Sequence, residues 1–240
     1  MQKSTLFVLL ILYSLKNFAL TPYHAIYDMY ADTTFGNFKL GTVEFNLETT
    51  NNDYIYSSVA TTDSIWDSLY KYSRYEKSTG SNIYNELVSN SYSVVEKRGD
   101  HSEKNIKIDF FPDKNYATYN NKKKWKIAPG VLVDELSVYL ALSEDIKKNP
   151  NQIEFTYQVA LEDKVKVQKF FISETKNITL LNKSIEIIIV KCPELNLVLQ
   201  LSKEHNFIPV IIDKVNKKNS FHITNLYYFF KGTRYSLFPI

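Results

Sequence analysis

Four histidines, one cysteine and a few closely spaced acidic pairs are the side chains that metal, thiol or acid–base chemistry would draw on in this 240-residue chain. His24, His101, His205 and His222 are scattered. They form no His-x-x-x-His pair and none adjoins the cysteine, so metal-ligand spacing is absent. His101 and His205 fall in turn-forming clusters and His24 and His222 at strand edges, where a hydrogen-bonded structural histidine is sufficient. Cys192 follows the apolar run 185–190 and reads as a buried small hydrophobe, because neither a histidine nor a helix start stands beside it to activate a thiolate. Asp28/Asp32 and Glu44/Glu48 have a spacing that a carboxylate dyad for sugar hydrolysis could use. On a strand, however, such pairs share one face and alternate with apolar neighbours, the pattern of a solvated outer face. The six glycines form no Gly-x-x-x-x-Gly-Lys loop, and no Gly-x-Ser-x-Gly elbow occurs. The expectation is a non-enzymatic protein with no metal and no cofactor.

One short motif suggests contact with something outside the chain. Lys122, Lys123 and Lys124 precede Trp125, and cations beside an aromatic ring suit a lipid headgroup, which makes Lys123, Lys124 and Trp125 a candidate headgroup contact. The same run also reads as a charged hairpin tip that guards a sheet edge. The overall balance, 29 basic against 26 acidic side chains, becomes 27 against 26 without Lys3 and Lys16. A near-neutral domain has no general attraction for nucleic acid.

Those two lysines flank an apolar run, residues 6–15. As a helix it would extend about 15 Å, half the depth of bilayer hydrocarbon, so it suits a secretory signal better than a membrane span. Residues 1–19 are expected to be a signal peptide directing the protein to the periplasm or outside the cell. The alternative is an uncleaved inner-membrane anchor.

The elements that must position any site are mostly strands. Val43, Phe45 and Leu47 alternate with polar residues, as do Ile106, Ile108 and Phe110, and Phe155, Tyr157 and Val159, the period of a half-buried strand. Further strands are expected at 25–31, 54–61, 71–77, 83–88, 92–97, 116–119, 124–127, 165–173, 184–192, 195–202, 207–215 and 221–230. Short turn-forming clusters between them argue for consecutive antiparallel hairpins. Two segments read as helix. A short one at 62–69 carries Ile65, Trp66 and Leu69, and a longer one at 134–148 carries acidic residues at its start, Lys147 and Lys148 at its end, and a wide apolar stripe that includes Leu136 and Leu140. Such a stripe needs cover on more than one side. The expected fold is therefore mainly β: a curved antiparallel sheet or incomplete barrel of many hairpins, with one main helix packed in its concave side. No linker divides it, so residues 22–240 are read as one domain.

In their order, several motifs resemble the bacterial domain-of-unknown-function 3108 family. They are Tyr27-Asp28-Met29-Tyr30 with Gly36-Asn37-Phe38-Lys39-Leu40-Gly41, Leu69-Tyr70-Lys71-Tyr72-Ser73-Arg74-Tyr75-Glu76, Ile108-Asp109-Phe110-Phe111, the run 125–129, Asp134-Glu135-Leu136-Ser137 and Phe207-Ile208-Pro209-Val210-Ile211-Ile212. The sequence departs from that pattern at Asn182-Lys183-Ser184, where such proteins often show a glycine. The resemblance implies an exported envelope protein of uncharacterised activity, shaped like carriers that hold lipoprotein acyl chains, and it transfers no catalytic residue. The expected function is binding or carriage of an apolar ligand, a lipid or acyl chain. The candidate cavity residues are Val43, Phe45, Leu47, Ile65, Trp66, Leu69, Leu136 and Leu140. Two alternatives stand beside it: an assembly partner of another envelope protein, docking through sheet edges or the aromatic run 227–230, and an uncharacterised hydrolase.

Overall fold

A computed structural model describes residues 20–33, 36–63, 71–83, 86–128, 130–180, 183–215, 220–230 and 233–236, the last two stretches through their backbone. The expected signal peptide and the expected helix positions Ile65, Trp66 and Leu69 lie outside the described residues. Thr62, expected to open that helix, instead ends a strand and pairs with Gly41.

The first half of the chain is a meander. β1 (Tyr23–Thr33), β2 (Gly36–Thr50), β3 (Asp53–Thr62), β4 (Tyr72–Ile83), β5 (Glu86–Arg98), β6 (Lys104–Phe111), β7 (Tyr116–Tyr119) and β8 (Lys123–Lys126) each pair antiparallel with the strand before. After β9 (Leu132–Asp134) and the helix α1 (Val138–Lys148) a second meander follows. It comprises β10 (Glu154–Ala160), β11 (Val165–Leu180), β12 (Lys183–Cys192), β13 (Leu197–Ser202), β14 (Pro209–Val215) and β15 (Ser220–Phe230). β15 pairs antiparallel with β1 and fuses the meanders into one sheet, leaving β8 and β9 at its two ends. The short β16 (Thr233–Ser236) pairs with the last residues of β15.

The sheet curls into a half-barrel with α1 in its hollow. Strand alternation explains which side faces in: Val43, Phe45 and Leu47 are buried while Glu44 and Glu48 are exposed, as expected of a strand with one wet face. The helix packs against the sheet inside the hollow. Its Tyr139 ring meets Phe45 edge-on at 6.3 Å, Asp145 accepts a 2.7 Å hydrogen bond from Tyr157 on β10, and the Ser143 hydroxyl donates to the Phe207 carbonyl. Large tyrosines fill much of the core, and their hydroxyls find partners there. Tyr23 and Tyr56 bond to one another at 2.7 Å, and Tyr27 donates to the Pro209 carbonyl at 2.7 Å. Few glycines are needed for so many reversals because asparagine takes the left-handed turn positions: Asn51, Asn115, Asn120, Asn121, Asn196 and Asn206 all have φ between 46° and 56°.

Three expectations are corrected. The helix starts at Val138 rather than residue 134, because Leu132–Asp134 form a strand parallel to β10. The unit β9–α1–β10 is thus a parallel crossover inside an otherwise antiparallel sheet, and a three-residue strand is too short to show a period. The expected strand 83–88 straddles the junction of two long strands, β4 and β5, whose pairing runs from Tyr72 and Arg98 to Ile83 and Glu86. Gln158, expected on a solvated face, is buried, because its side-chain amide accepts from the Ala128 amide and donates to the Ala128 carbonyl. Along the run 227–230, β15 is paired on both sides, by β1 and by β16.

Candidate functional site

The hollow between sheet and helix contains a cavity of about 800 Å³. Its walls differ in kind. Met29, Leu40, Val43, Phe45, Leu136 and Ile212 form an apolar side, and Arg74, Glu76, Glu96, Arg98, Glu135 and Glu162 a charged side.

The charged side is built by strand geometry. Arg74 and Glu76 point the same way from β4 because they are two residues apart, as are Glu96 and Arg98 on β5, and register sets Arg74 directly opposite Glu96. Arg74 reaches three carboxylates: Glu96 at 2.7 Å, Glu76 at 2.8 Å and Glu162, just past β10, at 2.9 Å. Burial works against its charge, but Glu76 foremost overcomes that, and the guanidinium is held more firmly protonated than usual. Glu96 also pairs with Arg98 at 2.5 Å, and Glu162 with Lys104. Burial opposes the Glu96 charge, yet the hydrogen bonds from Arg98 and Arg74 pull its carboxyl below the usual range. Lys104 and Arg74 do the same for Glu162. Glu76 is further held by Ser58 and Tyr92.

Glu135 differs from these. It makes no hydrogen bond or ion pair among the described residues. Burial pushes its carboxyl above the ordinary range. Lys214 works against that rise, and Glu76 and Glu162 add to it. Its place is set by the preceding residue. Asp134 is wholly buried, and its carboxylate accepts bonds from the Ser78 and Ser89 hydroxyls and from the Leu136 and Ser137 amides. The Ser137 hydroxyl in turn accepts from the Asp134 amide at 2.9 Å. This reciprocal pairing has the geometry of a capping box and fixes the turn from which Glu135 projects.

Of the residues picked out by sequence, Val43, Phe45 and Leu136 line this cavity. Leu47 and Leu140 do not. They lie around a separate hollow of about 20 Å³, room for a single water, beside Leu20 and Tyr23. Lys123, Lys124 and Trp125 are elsewhere again, on the end strand β8. There Lys124 lies 3.6 Å from the centre of the Tyr116 ring, and Trp125 packs on Tyr119 at 5.4 Å. The lysines thus cap a hairpin ladder at a sheet end. Sequence reading missed the Arg74 cluster, although its signal was present: paired opposite charges two residues apart on two adjacent strands. Among the described residues no group of His, Cys, Asp and Glu is arranged to hold a metal ion, and no helix is long and apolar enough to cross a membrane.

No family model matches the chain, and no curated protein matches it. Among solved structures it is similar to the crystal structure of a β-barrel-like protein of the domain of unknown function DUF1849 from Brucella abortus. The TM-score is 0.58 at 12% identity, and the match covers 88% of this chain and 98% of that one. The likeness is one of fold.

Proposed function

We propose that the chain is an exported, non-enzymatic binding protein of the cell envelope whose half-barrel holds an amphiphile. The ligand's apolar part, a lipid or lipoprotein acyl chain, lies against Val43, Phe45 and Leu136, and its polar part against the charged side. The observation that carries this reading is the two-sided cavity itself. Its 800 Å³ falls in the size range of small-molecule sites, and each methylene buried there gains about 0.8 kcal/mol without needing directed hydrogen bonds. The resemblance of the motif order to the domain-of-unknown-function 3108 family and the apolar run near the N-terminus support export.

Fluorescence of N-phenyl-1-naphthylamine, titrated into the purified chain and displaced by dodecanol, tests the cavity. Saturable, competitive enhancement is expected in the parent chain, and its loss in Val43→Trp, which fills the apolar side. Should Val43→Trp not fold, Ala60→Phe on the same lining replaces it. Absence of enhancement in the folded parent, or full retention in a folded filled variant, overturns the reading. Native mass spectrometry of protein recovered from a periplasmic fraction tests export and any bound lipid together.

A further inference from the structure

We propose that the amphiphile's polar group is an ammonium, seated against the Glu135 carboxylate. This inference rests on the cavity reading above and adds the charge of the ligand.

The argument is one of charge already committed. Arg74 is shared among Glu76, Glu96 and Glu162, Arg98 is engaged by Glu96, and Lys104 by Glu162. Three cations therefore meet three carboxylates, and Glu135 is a fourth, facing the cavity with no ion-pair partner among the described residues. Lys214 also lines the cavity and exerts the strongest cationic pull on Glu135, but it is exposed to solvent and forms no ion pair with it. An anionic head placed here would meet a carboxylate wall whose guanidinium is already occupied. An ammonium would supply the missing positive charge and donate hydrogen bonds to an acceptor that has no other donor. A carboxylate set in a partly buried site strengthens such a pairing relative to water. Phe45 and Leu136 line the same cavity as Glu135, so one chain-bearing amine can satisfy both.

Displacement of N-phenyl-1-naphthylamine by dodecylamine, dodecanol and dodecanoate at pH 7 tests this. Dodecylamine is expected to compete on the order of tenfold better than dodecanoate, in line with a single charge-assisted contact. Glu135→Gln, close in shape, should remove that preference while leaving dodecanol unchanged, and Lys214→Gln should keep or enlarge it. Equal or better competition by dodecanoate, or an amine preference that survives in Glu135→Gln, overturns the ammonium assignment and leaves the cavity reading intact. Failure of all three probes to bind the folded chain removes the cavity reading and this inference together.

Discussion

The Ser78 hydroxyl on β4 donates a 2.6 Å hydrogen bond to the carboxylate of Asp134 on β9, joining residues 56 positions apart. β4 lies within the first meander, whereas β9 is the end strand of the sheet, beyond β10 of the second. This bond, with that of Ser89, helps to turn an open sheet into a half-barrel with a hollow, and it sets the turn that carries Glu135.

Asp134→Ala should therefore cost about 3 kcal/mol of stability, since it removes the shared buried acceptor of two hydroxyls and two amides. Ser78→Ala removes one donor and should cost about 1 kcal/mol. Urea denaturation compares them. A loss for Asp134→Ala no larger than that for Ser78→Ala would show that the carboxylate is not the junction described.

Arg74→Met removes the shared counter-charge of Glu76, Glu96 and Glu162 and should destabilise by about 3 kcal/mol at neutral pH. The loss should shrink in acid. The Glu96 and Glu162 carboxyls sit below their ordinary range in the fold, so the stability they contribute is present above the unfolded carboxyl range and lost as pH falls through the depressed values. Arg74→Lys should not restore it, because one ammonium cannot reproduce the forked geometry that meets three carboxylates. Denaturation at pH 7 and pH 4 provides the comparison.

Glu135→Gln should act in the opposite direction. The folded Glu135 carboxyl is raised by burial while Arg74 and Lys214 oppose the rise and Glu76 and Glu162 assist it. Its contribution is thus favourable below the unfolded carboxyl range and is lost as pH climbs through the raised value. At pH 7 the glutamine variant should be more stable than the parent, and near pH 4 the two should converge. A charge kept at the expense of stability is what a binding site requires. A variant less stable than the parent at pH 7 would mean that the carboxylate is structurally engaged.

Gly80→Ala should cost about 2 kcal/mol by overpacking. A Cβ there would come within 2.2 Å of the Val88 carbonyl and 2.6 Å of the Tyr54 ring, which lies across this bulge to reach Ser78 and Ser89. Gly99, at φ +54° with open space around it, should lose only about 1 kcal/mol on the same change, from backbone conformation alone. Thermal melts of the two variants should separate in that order.

Cys192 should resist thiol reagents in the native protein. It is 1% exposed, and burial raises its thiol to about 11, so little thiolate forms near pH 8. Reaction with dithionitrobenzoate is expected only after guanidinium unfolding. Fast native labelling would contradict the burial.

The period of two along Val43–Leu47 and Ile106–Phe110 and the wide stripe of α1 were enough to specify a strand-rich chain curved around one helix, because inward and outward residues alternate at spacings that sequence displays directly. Val43, Phe45 and Leu136 were legible as inward-facing for the same reason. What lay beyond reach was whether inward meant cavity or core. Leu47 and Leu140 have the same pattern as Val43 and Leu136, yet they close on a space the size of one water. The difference arises from partners distant in sequence, Leu20, Tyr23 and Ile208 around Leu47 and Leu140 and Arg74, Glu96 and Glu162 around the larger cavity, contacts with no local period. Likewise, Arg74, Glu76 and Glu96 read singly as solvated strand residues. Only the register of β4 on β5 and the return of Glu162 from a distant segment gather them on one wall. Residue types and their alternation are local properties, and so the sequence by itself determined the kind of fold. The cavity and its unanswered carboxylate depend on long-range pairing, and tertiary structure alone decided them.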